Sequence, residues 1–151
     1  MERLEKTPTE RIRLVYLAGP IDQVKEEDPC KYGWREDMSQ KFLDIGVCSY
    51  SPCHGLKWDK SMVGAEKVMV INWAALDQCD LLLAWLPDTP ISVGTIREIQ
   101  RAKDRDMKVL VITDIKGSVY LTDCVVVNRF DQAVAVVAEF NKALRKLKQQ
   151  D

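Results

Sequence analysis

The chain has 151 residues, of which 46% are hydrophobic and 30% are charged, the composition of an ordinary globular domain. Its 22 basic and 23 acidic residues give a formal net charge of −1, so no overall field attracts nucleic acid or an anionic membrane. The charged N-terminus lacks the apolar segment of a signal peptide, and no apolar run reaches the roughly 20 residues of a membrane span. We therefore expect a cytoplasmic protein with a single domain over 1–151.

The cysteine pattern and the known nucleotide motifs give no sign of a metal or cofactor site. Five cysteines form an odd set without CxxC pairing, which favours reduced thiols over a disulfide framework. Cys48, Cys53 and His54 lie close in sequence, but one histidine with scattered thiols falls short of zinc-site spacing. GxxxxGK[ST] and GxGxxG motifs are also missing. We therefore expect neither a metal nor a cofactor.

Five short apolar runs alternate with helical patterns along the chain. The runs occupy 12–19, 46–51, 80–86, 108–113 and 124–130. Most are continuous, as expected for parallel strands that helices cover on both faces. The helical patterns occupy 33–45, 63–76, 95–106 and 131–148. This alternation predicts an α/β fold, with a five-stranded parallel sheet in a flavodoxin-like (Rossmann-type) three-layer sandwich of strand order 2-1-3-4-5.

The helical patterns differ in which faces they bury. Apolar residues at spacings of three and four predict the inner faces of the first and last helices, at Trp34, Met38, Phe42 and Ile45, and at Val136, Phe140, Leu144 and Leu147. Segment 63–76 is apolar nearly all round. Such a helix is either deeply packed within its own chain or buried on one face against a second subunit, and both interpretations stay open.

The strand order predicts where a ligand binds. In open α/β sheets ligands occupy the crevice outside the carboxyl ends of the strands, where the order reverses, which is here between the first and third strands. The loops 18–22 and 86–95 face that crevice, and the loop 51–55 flanks it. The first two contain the Gly and Pro residues that allow a ligand to approach the backbone.

Loop 86–95 leads into a helix with an anion-binding pattern. Ser92, Gly94 and Thr95 precede or open this helix, whose unpaired N–H groups and dipole favour a phosphate. The same hydroxyls could act only as helix caps. Glu98 follows at once, and the helix dipole is expected to keep its carboxylate ionised at neutral pH. That carboxylate is either a nucleophile for a sugar anomeric carbon or a residue that merely complements the dipole.

Three motifs in register resemble the nucleoside 2-deoxyribosyltransferase-like superfamily. They are "VYLAGPI" (15–21), "INWAALDQCDLLLAWLPD" (71–88) and "SVGTIREIQRA" (92–102), and the similarity extends over about residues 12–113. The resemblance implies base-exchanging transferases or nucleoside 5′-monophosphate N-glycosidases. It places the catalytic glutamate at Glu98, which attacks C1′ and forms a glycosyl-enzyme ester, and it places the tyrosine that orients this glutamate at Tyr16. Gly19 and Pro20 match the turn that lets the substrate lie against the backbone.

Two positions depart from the family pattern. The transferases carry an aspartate six residues before the glutamate, where this chain has Ser92. The N-glycosidase branch uses a serine there to hold the 5′-phosphate, so Ser92 favours a nucleotide over a nucleoside. Both branches usually carry a catalytic aspartate where this chain has Asn72, and an amide cannot donate a proton as an acid does. Either Asp77, Asp22, Asp88 or a water transfers the proton, or turnover is slow or lost.

The remaining candidates surround the same predicted crevice. Ile21, Asp22 and Asp88 lie on its loops, and His54 or Trp58 could contact or stack on the base. The resemblance implies that a hydroxyl from a neighbouring subunit completes the phosphate site, and Thr122 or Ser118 could provide it.

The sequence therefore predicts a substrate and a reaction class. We expect hydrolysis of the N-glycosidic bond of a nucleoside 5′-monophosphate, releasing free base and (deoxy)ribose 5-phosphate through a Glu98 glycosyl-enzyme intermediate. The alternatives are a nucleoside 2-deoxyribosyltransferase that exchanges bases, and a nucleotide-binding module without turnover. The expected partners are a small-molecule nucleotide or nucleoside and further copies of this chain, as a dimer or higher homo-oligomer, with no nucleic acid or membrane.

Overall fold

A five-stranded parallel sheet with helices on both faces forms the fold. The structure is a computed structural model, and it describes residues 10–20, 33–52, 62–87 and 93–150. In chain order the elements are β1 (Leu14–Ala18), α1 (Trp34–Asp44), β2 (Cys48–Tyr50), α2 (Met62–Gln78), β3 (Leu81–Leu86), α3 (Val93–Asp104), β4 (Lys108–Thr113), β5 (Val125–Val127) and α4 (Phe130–Lys148). The strand order is β2-β1-β3-β4-β5, and every neighbouring pair is parallel. The predicted fold class and strand order are confirmed.

Two hydrophobic layers cover the two faces of the sheet. On one face, alternate residues of the central strands pack against α1 and α4, through Trp34, Met38, Phe42, Ala133 and Val137. On the other face, the intervening residues pack against α2 and α3, through Leu76, Ile99 and Ala102. The alternation of side chains along a strand therefore sends Leu17 to the first layer and Tyr16 to the second.

The buried face of α4 includes the predicted Leu144, but its other positions lie one residue away from the predicted ones. Its fully buried positions are Ala133, Val137, Asn141 and Leu144, whereas Val136 and Phe140 are partly buried and Leu147 is 60% exposed. Asn141 explains the shift, because a polar residue in the inner row breaks the apolar pattern. Its amide accepts a hydrogen bond from Ile12 N at 2.9 Å and donates one to Ile12 O at 2.9 Å. The buried amide is thus satisfied, and it joins α4 to the residues that lead into β1.

Helix α2 is not buried all round. Leu76 is fully buried against the sheet, but Val70 is 62% exposed and Ile71 is 46% exposed. Within the single chain, the interpretation of 63–76 as a deeply packed helix is therefore wrong for these described positions. The outer face of α2 therefore carries exposed aliphatic side chains.

Two further findings concern membranes and cysteines. Across the described parts of the chain, no helix combines the length and apolarity that a membrane crossing requires. Of the described cysteines, Cys79 is buried, Cys124 is partly exposed and Cys48 is exposed, and none of the three forms a disulfide. Cys30 and Cys53 lie outside the described residues.

Candidate active site

Tyr16 and Glu98 face each other between the sheet and its helical cover. Tyr16 is fully buried in β1, and its register partner toward β3 is Leu82. Glu98 precedes the buried Ile99 and lies three residues after the buried Thr95, which places it on the inner side of α3. The topology therefore brings the predicted glutamate and tyrosine together on the α2–α3 face of the sheet.

Tyr16 and Glu98 each affect the pKa of the other. Burial raises the pKa of Glu98 to about 7, although the Tyr16 hydroxyl and then the Arg35 charge act to lower it. Burial, and then the Glu98 carboxylate, raise the pKa of Tyr16, so its phenol stays protonated. The hydroxyl approaches the carboxylate without full hydrogen-bond geometry, since neither Tyr16 Oη nor Glu98 Oε2 completes a hydrogen bond within the described residues. Two buried polar atoms are thus available to a ligand.

The protonation of Glu98 differs from the sequence prediction. A pKa of about 7 means that roughly half of the carboxyl groups are protonated at neutral pH, whereas the helix dipole was expected to keep the group ionised. Two physical reasons account for the difference. Glu98 is the sixth residue of α3 and lies in its second turn, where the dipole has weakened, and its desolvation costs more than the dipole returns.

Asn72 is buried on α2 with an unsatisfied oxygen. Only 8% of its surface is exposed, and Oδ1 has no hydrogen-bond partner among the described residues. Asn72 lies one helical turn before Leu76, whose side chain is in the same hydrophobic layer as Tyr16. Leaving a buried amide oxygen unpaired costs about 1–3 kcal/mol, so a ligand donor at this position would recover binding energy.

Gly19 and Pro20 are both buried at the carboxyl end of β1. A Cβ atom on Gly19 would lie 2.5 Å from Trp34 Cζ2, closer than atoms can approach. Glycine is therefore required here because the indole of α1 packs directly on its backbone.

The predicted phosphate-site residues are only partly described. Thr95 is buried and Gly94 is exposed in the first turn of α3. Thr122 follows the short 3-10 helix Val119–Leu121, and its hydroxyl donates to Val119 O at 3.1 Å, which closes that turn. Five predicted ligand contacts, and Trp58 as well, lie outside the described residues: Ile21, Asp22, His54, Asp88 and Ser92.

A cavity of about 550 Å³ lies at the carboxyl ends of β4 and β5. Its lining includes Thr113, Lys116, Ser118, Asn128 and Gln132, but not Tyr16 or Glu98. In the part of the chain that the structure describes, no group of three His, Cys, Asp or Glu side chains is arranged to hold a metal ion.

Sequence reasoning missed two residues next to the site, Arg35 and Tyr50. Tyr50 ends β2 and stacks on Tyr16, with ring centroids 5.5 Å apart and an interplanar angle of 27°. Burial raises its pKa, with smaller effects from Cys79 and Glu98. Arg35 lies beside Trp34 and three residues before Met38, a spacing that places it near the buried side of α1. That spacing was a sequence signal by which Arg35 could have been found. Tyr50 had no such signal in the sequence.

Comparisons with solved structures agree with this architecture. A 2-deoxyribosyltransferase from Bacillus psychrosaccharolyticus aligns over 82% of this chain and 95% of its own length, with 16% identity and a TM-score of 0.67. A 2-deoxyribosyltransferase from Leishmania mexicana aligns over 84% and 97%, with 14% identity and a TM-score of 0.62. A CMP N-glycosidase from Clostridium botulinum aligns over 83% and 98%, with 18% identity and a TM-score of 0.56.

No protein-family model matches the sequence, and no curated protein matches it. The likeness therefore lies in the fold, at identities too low to carry over an activity. Its agreement with the three sequence motifs supports the resemblance stated above. The chain shares its fold with these 2-deoxyribosyltransferases and with the CMP N-glycosidase.

Proposed function

We propose that the protein hydrolyses the N-glycosidic bond of a nucleoside 5′-monophosphate, with Glu98 as the nucleophile. The observation that carries this proposal is the buried Glu98 carboxyl beside Tyr16, with a pKa of about 7. A carboxylate shielded from water but close to its pKa is reactive toward an electrophilic carbon and still ionised in a large fraction of molecules at neutral pH. Similarity to enzymes of both the glycosidase and the transferase type supports this reaction class.

In the proposed reaction a Glu98 oxygen forms a bond to C1′ as the C1′–N bond breaks. The bonding electron pair leaves with the base, which gains a proton. Water then attacks C1′ of the ester, loses a proton and regenerates the carboxylate with release of the sugar phosphate. Tyr16 stays protonated, and a small approach of its hydroxyl to the carboxylate oxygen that is not attacking would complete the hydrogen bond that orients the nucleophile.

Asn72 contributes binding to this proposal and not acid catalysis. Its buried Oδ1 can accept a hydrogen bond from a sugar hydroxyl or from an amino group of the base. Asp77 does not replace the missing acid, because Arg101 and Arg105 already hold its carboxylate. The proton for the base then comes from water or from Asp22 or Asp88, which lie outside the described residues.

The preference for a nucleotide over a nucleoside depends on Ser92. A serine hydroxyl beside the first N–H groups of α3 can bind a phosphate, whereas an aspartate at that position would repel it. Ser92→Asp should therefore weaken binding of a monophosphate more than binding of the corresponding nucleoside. An equal loss for both ligands would contradict the phosphate assignment.

The decisive experiment is incubation of the purified protein with a panel of nucleosides and their 5′-monophosphates, followed by chromatography for free base. Release of base from monophosphates in water alone supports the proposed hydrolysis. Release that requires a second added base favours the deoxyribosyltransferase. Binding without release of base or sugar phosphate over a long incubation favours a nucleotide-binding module.

We also propose that the protein acts as a homo-oligomer whose contact includes the outer face of α2. Val70 and Ile71 on α2, and Val93 and Ile96 on the adjacent α3, are each more than 40% exposed. Neighbouring exposed aliphatic side chains on two packed helices are typical of a subunit interface.

A further inference from the structure

Arg35 is a charged side chain that the fold has buried. It is the second residue of α1, and only 6% of its surface is exposed. Its Nη2 donates to Gly19 O at 3.0 Å, and its Nε lies 3.4 Å from Leu17 O. Both acceptors belong to the carboxyl end of β1, next to Tyr16. Burying a guanidinium costs free energy unless it makes such hydrogen bonds. The hydrogen bonds to Leu17 O and Gly19 O therefore account for the buried position of Arg35.

These carbonyl groups lie on the edge of β1 that faces β2, beyond the point where the pairing with β2 ends. Cys48 N of β2 donates to Arg13 O, so odd-numbered carbonyls of β1 point toward β2. The pairing of the two strands stops at Tyr16 and Tyr50, because β2 has only three residues. Leu17 O and Gly19 O therefore extend past the end of β2. Arg35 supplies the donors there that a longer strand would have supplied.

Trp34, the neighbour of Arg35, fixes the same turn from a second direction. Its indole packs on Gly19 so closely that a Cβ atom there would collide. The Arg35 guanidinium lies 4.6 Å from the centre of this indole, which also contacts the rings of Trp85 and Phe130. The turn after β1 is thus held between a braced aromatic ring and a buried cation.

The charge of Arg35 also reaches the glutamate. Among the described residues, Arg35 is the cation that lowers the pKa of Glu98 and so opposes the effect of burial. Within the described part of the chain, the titratable side chains that interact with Glu98 besides Arg35 are Tyr16 and Tyr50, which are uncharged in their usual protonated forms. Arg35 therefore offsets part of the effect of burial on Glu98.

We propose that Arg35 is a positioning residue of the active site: its buried guanidinium holds Leu17 O and Gly19 O at the carboxyl end of β1, next to Tyr16, and places a positive charge within reach of Glu98. This proposal deepens the proposed function and rests on Glu98 as its nucleophile. One side chain thereby links the placement of the substrate to the charge of the group that attacks it.

The test compares Arg35→Met and Arg35→Lys with the control Arg101→Met. The control removes a partly buried arginine from α3 itself, where Arg101 pairs with Asp77. The midpoint of Glu98 is read in ligand-free protein by ¹³C NMR of the side-chain carboxyl, assigned from its loss in Glu98→Gln. Rates of base release from a monophosphate are then measured against pH, with thermal unfolding recorded for every variant.

We expect Arg35→Met to move the Glu98 midpoint upward, and Arg101→Met to leave it unchanged. In the methionine variant, kcat/KM should fall about tenfold per pH unit below the new midpoint, because the ionised fraction falls by that factor. Arg35→Lys should keep a midpoint close to that of the wild type, since it keeps the charge. Its KM should rise, because one ammonium group cannot span both carbonyls as a guanidinium does.

A folded Arg35→Met protein with the wild-type Glu98 midpoint would overturn the proposal. If the methionine variant does not fold, Arg35→Lys decides alone, and a lysine variant with wild-type KM would overturn the positioning role. The NMR measurement needs no turnover. If the wild-type protein releases no base from any substrate, the proposed function fails, while the midpoints still show whether Arg35 controls the charge of Glu98.

Discussion

Asp77 on α2 accepts two hydrogen bonds from the guanidinium of Arg101 on α3, at 3.1 and 2.9 Å. Arg105, in the turn that directly follows α3, approaches the same carboxylate at 3.1 Å. The ring of Trp73 lies beneath Arg101, 4.5 Å from the guanidinium carbon. These contacts bind α3 to α2 on the side of the sheet that holds Glu98. Asp77 therefore holds α3 against α2.

Replacing Asp77 with asparagine should lower stability more than it lowers activity. The carboxylate is about one-fifth exposed, so loss of its two arginine partners should cost about 1–2 kcal/mol of unfolding free energy. Urea unfolding measures this cost, and activity well below the melting temperature should be retained. Asp123→Asn is the matched control on the exposed pair with Lys103, and it should be less damaging. A folded Asp77→Asn protein without activity would instead return Asp77 to the catalytic mechanism.

Glu98→Gln should abolish base release while the fold and ligand binding persist. An amide cannot form the ester with C1′, so kcat should fall on the order of a thousandfold or more. Chromatography of the released base measures the rate, and calorimetry measures monophosphate binding. Glu139→Gln makes the same change at an exposed position on α4 and should have no effect. Activity close to that of the wild type in Glu98→Gln would remove this residue from the mechanism.

The stability of the protein should depend on pH through Glu98, in a direction opposite to most carboxylates. The group releases its proton near its ordinary pKa of 4.5 when unfolded, but near 7 when folded. Between these values the folded state binds more protons, so the contribution of Glu98 to stability is present at low pH and lost as the pH rises toward 7. The loss is on the order of 3 kcal/mol.

Urea unfolding of the wild type and of Glu98→Gln at pH 4.5, 6 and 8 measures this contribution. The variant should gain stability relative to the wild type as the pH rises, since other titrating groups are common to both proteins. A constant difference across this range would mean that the carboxyl is not held out of water.

Gly19→Ala should destabilise the protein by contact with Trp34. The new Cβ would lie 2.5 Å from Cζ2, and the enforced movement should cost about 1–3 kcal/mol. The same substitution should cost less in a Trp34→Phe background, where Cζ2 is removed. A double-mutant cycle of unfolding free energies measures the coupling, and a coupling of zero would show that the indole does not restrict this turn.

Acidic substitutions on the outer face of α2 should break the proposed assembly. Val70→Asp combined with Ile71→Asp places charges on two exposed aliphatic positions, which an apolar contact between subunits does not tolerate. Sedimentation velocity should show the wild type as an oligomer and this variant as a monomer. Leu147→Asp, at an exposed position of α4, is the control and should stay oligomeric. A monomeric wild type would contradict the assembly itself.

The fold could be predicted from sequence because continuous apolar runs mark strands buried on both faces. The last helix shows the limit of that signal. Its inner row includes Asn141, a polar residue buried by its hydrogen bonds to Ile12, so the apolar pattern pointed one residue away. A hydropathy pattern cannot represent a polar residue whose partner lies 129 positions distant.

The site was predictable only where a motif carried it. Glu98 and Tyr16 came from the resemblance, and the structure brings their side chains together. Arg35 was not predicted, because a charged residue on a helix is usually solvated and only the short β2 strand creates its buried acceptors. The acidity of Glu98 was also misjudged, since desolvation depends on packing that a local sequence does not contain.

The amide of Asn141 has a consequence for how the chain matures. Asn141 lies on α4 and hydrogen-bonds to the backbone of Ile12, just before β1. Ala133 and Val137 of the same helix complete one layer of the core. During synthesis the first strand therefore emerges long before the element that seals it. Until α4 leaves the ribosome, the part of this sheet face that α1 does not cover stays open, and a chaperone that recognises exposed aliphatic surface would have its best opportunity there.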